Sequence, residues 1–197
     1  METISQLLHN FLVLFAMVNA VGNLPVFADL TSEMDKPARA RTNLLAVATG
    51  GGIVLAFALF GDIMLRNVFT ISTSAFKIAG GILVFIVAAR GVILGNPQNK
   101  IHDAANSSIA VFPMGFPYLA GPGTILTTIL LIQSNGRILT VLTVLLVYLA
   151  IFPVLKLAPF VERVIGKIGV SVIARILYIF ICAKAVSFVL EGFNLNI

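Results

Sequence analysis

"NAVGNLPVF", residues 19–27, follows an apolar run that begins at Ile4, and it decides how the chain is read. A helix surrounded by lipid has no water to satisfy backbone groups that a break sets free. Asn19, Gly22, Asn23 and Pro25 nevertheless stand in the second half of that run. Broken backbone at membrane depth is tolerated only where it is buried in protein or lines a cavity. The stretch therefore predicts an interrupted helix facing something polar.

The premise of lipid follows from composition. Of 197 residues, 59% are hydrophobic and 11% charged, and mean hydropathy is +1.05. Soluble domains sit near 45–50% apolar and about 25% charged. A chain this short cannot hide so much apolar surface in one water-bounded core. The expectation is a multi-pass protein of the cytoplasmic membrane. Met1-Glu2-Thr3 carries no basic residue and no small-residue cleavage motif ends the first run, so that run is expected to remain as a membrane helix. Net charge is +5. Lys and Arg are scattered between apolar runs rather than clustered with aromatics, which argues against a nucleic-acid partner. The lone Cys182 permits no internal disulfide.

About 20 apolar residues cross the hydrocarbon. Six runs qualify, at 4–28, 42–65, 73–95, 109–133, 138–157 and 172–193. Polar connectors separate them at 29–41 and 96–108, with a third, amphipathic one at 158–171, where Gly166 and Gly169 suggest a bend. Positive charge sets orientation. Lys36, Arg39, Arg41, Arg90, Lys100, Lys156, Arg163, Lys167 and Arg175 fall on one side, against Arg66, Arg137 and Lys77 on the other. Both termini are expected outside.

Six spans divide into two threes. A shift of 99 lays "AVGNLP" over "LAGPGT", and a shift of 97 lays "ISTSAFKIAGGILVFIVAA" over "IGVSVIARILYIFICAKAV". Because three is odd, the second copy must lie upside down. The expected fold is all-α: six transmembrane helices as two inverted repeats, 1–100 and 101–197, in a single transmembrane domain, with the first and fourth helices interrupted. Corresponding interruptions in inverted repeats point to a transporter site. The second interruption, "FPMGFPYLAGPGTILTT" at 112–128, is the stronger, with Pro113, Pro117 and Pro122 among Gly115, Gly121 and Gly123. Each proline removes a donor and crowds the preceding turn. Pro122 after Gly121 fits a helix restarting, and Asn23 before Leu24-Pro25 fits a capped restart. A single kink needs no ligand; two at matching places favour a site. Gly50-Gly51-Gly52, Gly80-Gly81 and Gly91 read as close-packing surfaces.

"NAVGNLPVF" with "AGPGTILT", plus "FKIAGGILVF" in the third span, resembles the MarC family of bacterial and archaeal membrane proteins, essentially end to end. The family's first motif usually reads Asn-Pro-x-Gly-Asn-x-Pro, and Ala20 stands here in place of its first proline. The resemblance implies six spans and a small neutral amino-acid transporter of the SnatA type, with glycine and alanine as substrates.

The site expected from the residues comprises Asn19, Gly22, Asn23, Ala120, Gly121, Gly123 and Thr124. The positive end of a half-helix suits the carboxylate of a zwitterion. Unwound carbonyls near 19–22 and 118–121, with the Asn19 oxygen, suit its ammonium or a coupling cation. The plainer alternative for Asn19 is an interhelical hydrogen bond, and for Thr127 and Thr128 a bond back to their own helix. No cofactor or metal ligand set is assigned; coupling to Na+ or H+ stays open, since Asp62, Glu191 and Asp29 lie near helix ends. Lys184, about ten residues into the last span, is expensive at that depth and reads as a structural pair with Glu191, a cavity residue or a modulator of transport; Thr127 joins it in the last role. Lys77 and Arg90 are expected to snorkel. An enzyme lacks a catalytic constellation. A channel or exporter of another small solute, or a membrane protein without transport, is the alternative. Oligomeric state is not set by the sequence.

Overall fold

The computed structural model describes residues 2–94 and 106–195. Its elements are α1 (Glu2–Val18), α2 (Leu24–Leu30), α3 (Lys36–Ile63), α4 (Thr73–Leu94), α5 (Asn106–Ile109), α6 (Pro122–Asn135) and α7 (Arg137–Gly192). No strand occurs among the described residues, so the all-α reading holds. The connector residues His102 and Lys100, and the 100/101 boundary between the expected repeats, lie outside the described residues.

Among the described residues, four helices are long and apolar enough to cross a membrane: Lys36–Val68, Thr73–Leu94, Arg137–Val161 and Ile168–Gly192. A fifth span results if Ala110–Leu119 and Pro122–Asn135, bent by 55°, count as one. The run at 4–28 is not a continuous span. Its apolar helix, Ile4–Val18, stops at the break and falls short of spanning length. The cause lies in "NAVGN": Asn19 adopts φ 53, a left-handed conformation that asparagine tolerates better than most residues, and the helix resumes only at Leu24 with Pro25 in its first turn.

The second interruption is longer. Phe112 and Phe116 are extended inside the stretch Ala110–Leu119, each directly before a proline. The chain then turns through Ala120 and Gly121 and restarts as α6 at Pro122. The amphipathic connector expected at 158–171 is helical except at Gly166, whose φ of 76 bends α7 between its two spanning pieces. Gly169 is absorbed into the second piece.

The first connector is shorter than its polar sequence suggests and is closely tied. Thr31 Oγ1 donates to the Phe27 carbonyl at 2.7 Å and Ser32 Oγ to the Asp29 carbonyl at 2.7 Å. Asp35 caps α3 by accepting from the Ala38 N–H at 2.8 Å, the role that carboxylates favour at a helix start. The Arg39 guanidinium donates to the Thr31 carbonyl through Nε at 3.1 Å and Nη2 at 2.8 Å.

Among the described residues, packing forms two apolar clusters. The larger joins α1, α2, α3, the 109–120 stretch and the first piece of α7, with Leu14, Phe27, Val54, Met114 and Ile151 fully buried. The smaller joins Met17, Val84, Leu126, Tyr178 and Phe188. Most of the glycine pairs read as packing surfaces do pack. A Cβ on Gly50 would lie 2.8 Å from Leu119 Cβ, one on Gly81 2.8 Å from the Ala185 carbonyl, and one on Gly91 2.7 Å from the Tyr178 ring. Gly52 differs, with nothing within 4 Å. The outward faces carry exposed apolar side chains such as Leu149, Phe180 and Ile168, as lipid contact demands.

Candidate functional site

The two breaks meet. Asn23 does not cap α2 with its side chain, contrary to the sequence expectation. Its Nδ2 donates instead to the Val18 carbonyl at 3.4 Å and, across 95 residues, to the Tyr118 carbonyl at 3.3 Å. Its Oδ1 accepts from the Tyr178 hydroxyl at 3.0 Å. One amide thus joins the first break, the second break and the last span. A cap would have used only a local N–H, whereas here the freed carbonyls on both sides of the break need donors. Leu119 receives its own, from the Tyr148 hydroxyl at 2.7 Å.

Beside this bridge lies a cavity of about 160 Å³, at the boundary of the two apolar clusters. Asn19, Asn23, Gly121, Gly123 and Thr124 line it, together with Pro117, Tyr118 and Pro122. Apolar walls come from Met17, Val84, Ala88 and Ile181, with Tyr178 on the last span. Five of the seven expected site residues are therefore brought together. Ala120, fully buried, lies outside the lining. Gly22 also stands behind it: a Cβ there would collide with the Asn19 side chain, so this glycine clears the space in which that amide sits. Gly121 makes a different close approach. A Cβ on it would lie 2.7 Å from the Pro117 carbonyl, so its smallness serves the bend.

Asn19 is 6% exposed, and neither its Nδ2 nor its Oδ1 has a hydrogen-bond partner. Buried polar groups are nearly always paired, and an orphan costs roughly 1–3 kcal/mol. The interhelical bond weighed for Asn19 is thus not made. One acceptor and two donors stand unused at the cavity wall. The other polar feature is the start of α6. Pro122 has no N–H, and the Gly123 and Thr124 N–H groups belong to the first turn, which has no intrahelical acceptor. The first ladder bond is Ile125 N–H to the Gly121 carbonyl at 3.0 Å. This end of α6 carries the helix's partial positive charge. The seven-residue α2 contributes no comparable end, and Leu24 does not line the cavity.

Of the unwound carbonyls expected to hold an ammonium, those of Asn19, Val21, Tyr118, Leu119 and Gly121 each accept a protein hydrogen bond. The Asn19 amide makes none. Thr128 bonds back to the Thr124 carbonyl at 2.8 Å, as expected, but Thr127 does not and its hydroxyl has no partner. Lys184 stays outside the cavity. Its Nζ lies 3.6 Å from Glu191 Oε1 and 4.7 Å from the Phe188 ring centroid, the structural pairing among the alternatives read from sequence. Lys77, expected to snorkel, instead reaches Glu191 Oε2 at 3.0 Å. Tyr178 and Tyr148 were not legible as site residues, because nothing local to a tyrosine marks which distant carbonyl or amide its hydroxyl will meet.

The model of the MarC family integral membrane proteins matches residues 4–197 of the chain. Similar curated proteins include the UPF0056 membrane protein YhcE of Escherichia coli, 37% identical over 92% of this chain and 89% of its own length. The UPF0056 membrane protein of Archaeoglobus fulgidus is 34% identical, covering 93% and 90%. That of Buchnera aphidicola subsp. Baizongia pistaciae is 30% identical, covering 92% and 89%. No solved structure matches the chain.

Proposed function

The chain belongs to the MarC family of integral membrane proteins, and from that premise we propose that it is a secondary transporter of small neutral amino acids, glycine and alanine among them, across the cytoplasmic membrane. The observation that carries the reading is the unpartnered amide of Asn19, set in a 160 Å³ cavity with the free first turn of α6. A zwitterion satisfies both at once. Its carboxylate takes the Gly123 and Thr124 N–H groups and its ammonium takes Asn19 Oδ1. A dry cavity of about 150 Å³ elsewhere accommodates benzene, six heavy atoms; glycine has five and alanine six. The apolar walls add no countercharge, so a solute with net charge would sit unpaired at a high cost.

Alternating access around this site follows from two inverted repeats. The order of elements supports them: a broken helix and two spanning helices in 2–94, then a broken helix and two spanning pieces in 106–192. On this reading α1 with α2 counts as the sixth span. The bias of Lys and Arg supports an orientation with both termini outside. Coupling to Na+ or H+ is part of the same proposal without an assigned residue.

Counterflow of labelled glycine in proteoliposomes tests it. Saturable counterflow, competed by unlabelled alanine, is the expected result. Flux that does not saturate and shows no counterflow makes the protein a channel, and no flux removes the transport reading.

A further inference from the structure

Among the described residues, the buried side-chain nitrogens and oxygens without a partner belong to Asn19, Asn10 and Thr127. Asn10 is 1% exposed and lies on α1; Thr127 is 2% exposed and lies on α6. These two helices run antiparallel against each other. At one end of their seam a Cβ on Gly123 would meet Met17 Cε at 2.8 Å. At the other, Asn135 Nδ2 donates to Asn10 Oδ1 at 3.3 Å. Thr127 shares the Gly123 face by its four-residue spacing and lies between those two contacts along α6. The orphans thus run in file from the cavity to the end of the bundle where α1 begins.

We infer that the α1–α6 seam is the transit route between the cavity and the membrane face on which α1 begins, with Thr127 and Asn10 as its polar stations. The inference rests on the transport reading and adds a path to its site. The Asn19 amide, the Thr127 hydroxyl and Asn10 Nδ2, unpartnered in one file, cost several hydrogen bonds in the closed state, and neighbouring buried side chains, Leu14 on α1 and Leu131 on α6, keep that state apolar. When the helices separate, each station offers a donor, and Thr127 also an acceptor, to a solute crossing without its water. No charged side chain stands among the stations, so the route favours solutes whose charges cancel.

In a Cys182→Ser background, Asn10→Cys, Thr127→Cys and Ala185→Cys are reconstituted and treated with a small zwitterionic methanethiosulfonate, whose charges cancel as those of the solute do. Ala185 is equally buried but packs against Gly81 of α4. Positions 10 and 127 should react at least about tenfold faster than 185, with saturating glycine slowing the reaction at 127. Reaction at 127 no faster than at 185 overturns the route. Thr127→Val provides a second readout, because it removes only the hydroxyl. A merely structural threonine would leave counterflow unchanged, which also overturns the route; the expected result is counterflow slowed about tenfold with melting temperature unchanged or raised. Glycine counterflow by the Cys182→Ser protein separates the two claims. If it is present while 127 is unreactive, the route alone fails; if it is absent, the transport reading fails and the route with it.

Discussion

Asn23 Nδ2 donates to the Tyr118 carbonyl at 3.3 Å, a hydrogen bond between the two backbone breaks of the chain. The same side chain accepts from Tyr178 at 3.0 Å, so the bridge also reaches the last span. Asn23→Leu keeps the size of the side chain and leaves two carbonyls and a hydroxyl without this partner. Stability in detergent should fall by about 1–3 kcal/mol, read as a lower melting temperature, and glycine counterflow should be lost. A variant that melts and transports like the parent would show that the breaks do not depend on one another.

Asn19→Gly should behave in the opposite way. The amide makes no protein hydrogen bond and glycine adopts the φ of 53 without strain, so the variant should melt near the parent temperature while added glycine no longer raises it. A drop in melting temperature with glycine binding retained would mean that Asn19 is structural.

Gly22→Ala tests the same amide from behind. The added Cβ collides with the Asn19 side chain, pushing it into the cavity or away from it. The folded, monodisperse variant should lose the glycine-dependent thermal shift. Gly121→Ala meets the Pro117 carbonyl instead, and since backbone yields poorly, that variant should lose stability as well as binding.

Selectivity follows from the cavity's size and lack of countercharge. Glycine, alanine and serine should stabilise the protein, whereas leucine, phenylalanine, aspartate and lysine should not. Ligand at a hundredfold excess over Kd stabilises by about 2.7 kcal/mol, well within reach of a thermal-shift series. Equal stabilisation by leucine would refute the small-zwitterion reading.

Lys184→Met should leave counterflow near the parent value. Lys184 pairs with a half-exposed Glu191 and stands outside the cavity lining, and such pairs contribute about 0–1 kcal/mol. Loss of transport in a folded Lys184→Met protein would place the lysine in the cycle.

Much of this was legible in the sequence because its signals are local. Glycine and proline inside apolar runs marked both breaks, and five of the seven residues chosen around them line one cavity. The failures have a common physical origin. Asn23 reads as a cap because Leu24-Pro25 follows it; its actual partners lie at Val18, Tyr118 and Tyr178, and pairing across 95 residues leaves no local trace. Lys77 reads as snorkelling until Glu191, 114 residues away, is seen beside it.

The Arg39 clamp on the Thr31 carbonyl has a mechanical meaning. With Thr31, Ser32 and Asp35 each spending a side-chain hydrogen bond on the same elbow, α2 and α3 are spliced into one rigid arm. The link from α1 to α2, residues 19–23, lies beside the cavity and is tied across by Asn23 Nδ2 to the Val18 carbonyl at 3.4 Å. Any displacement of α2 would therefore carry the 28-residue α3 with it.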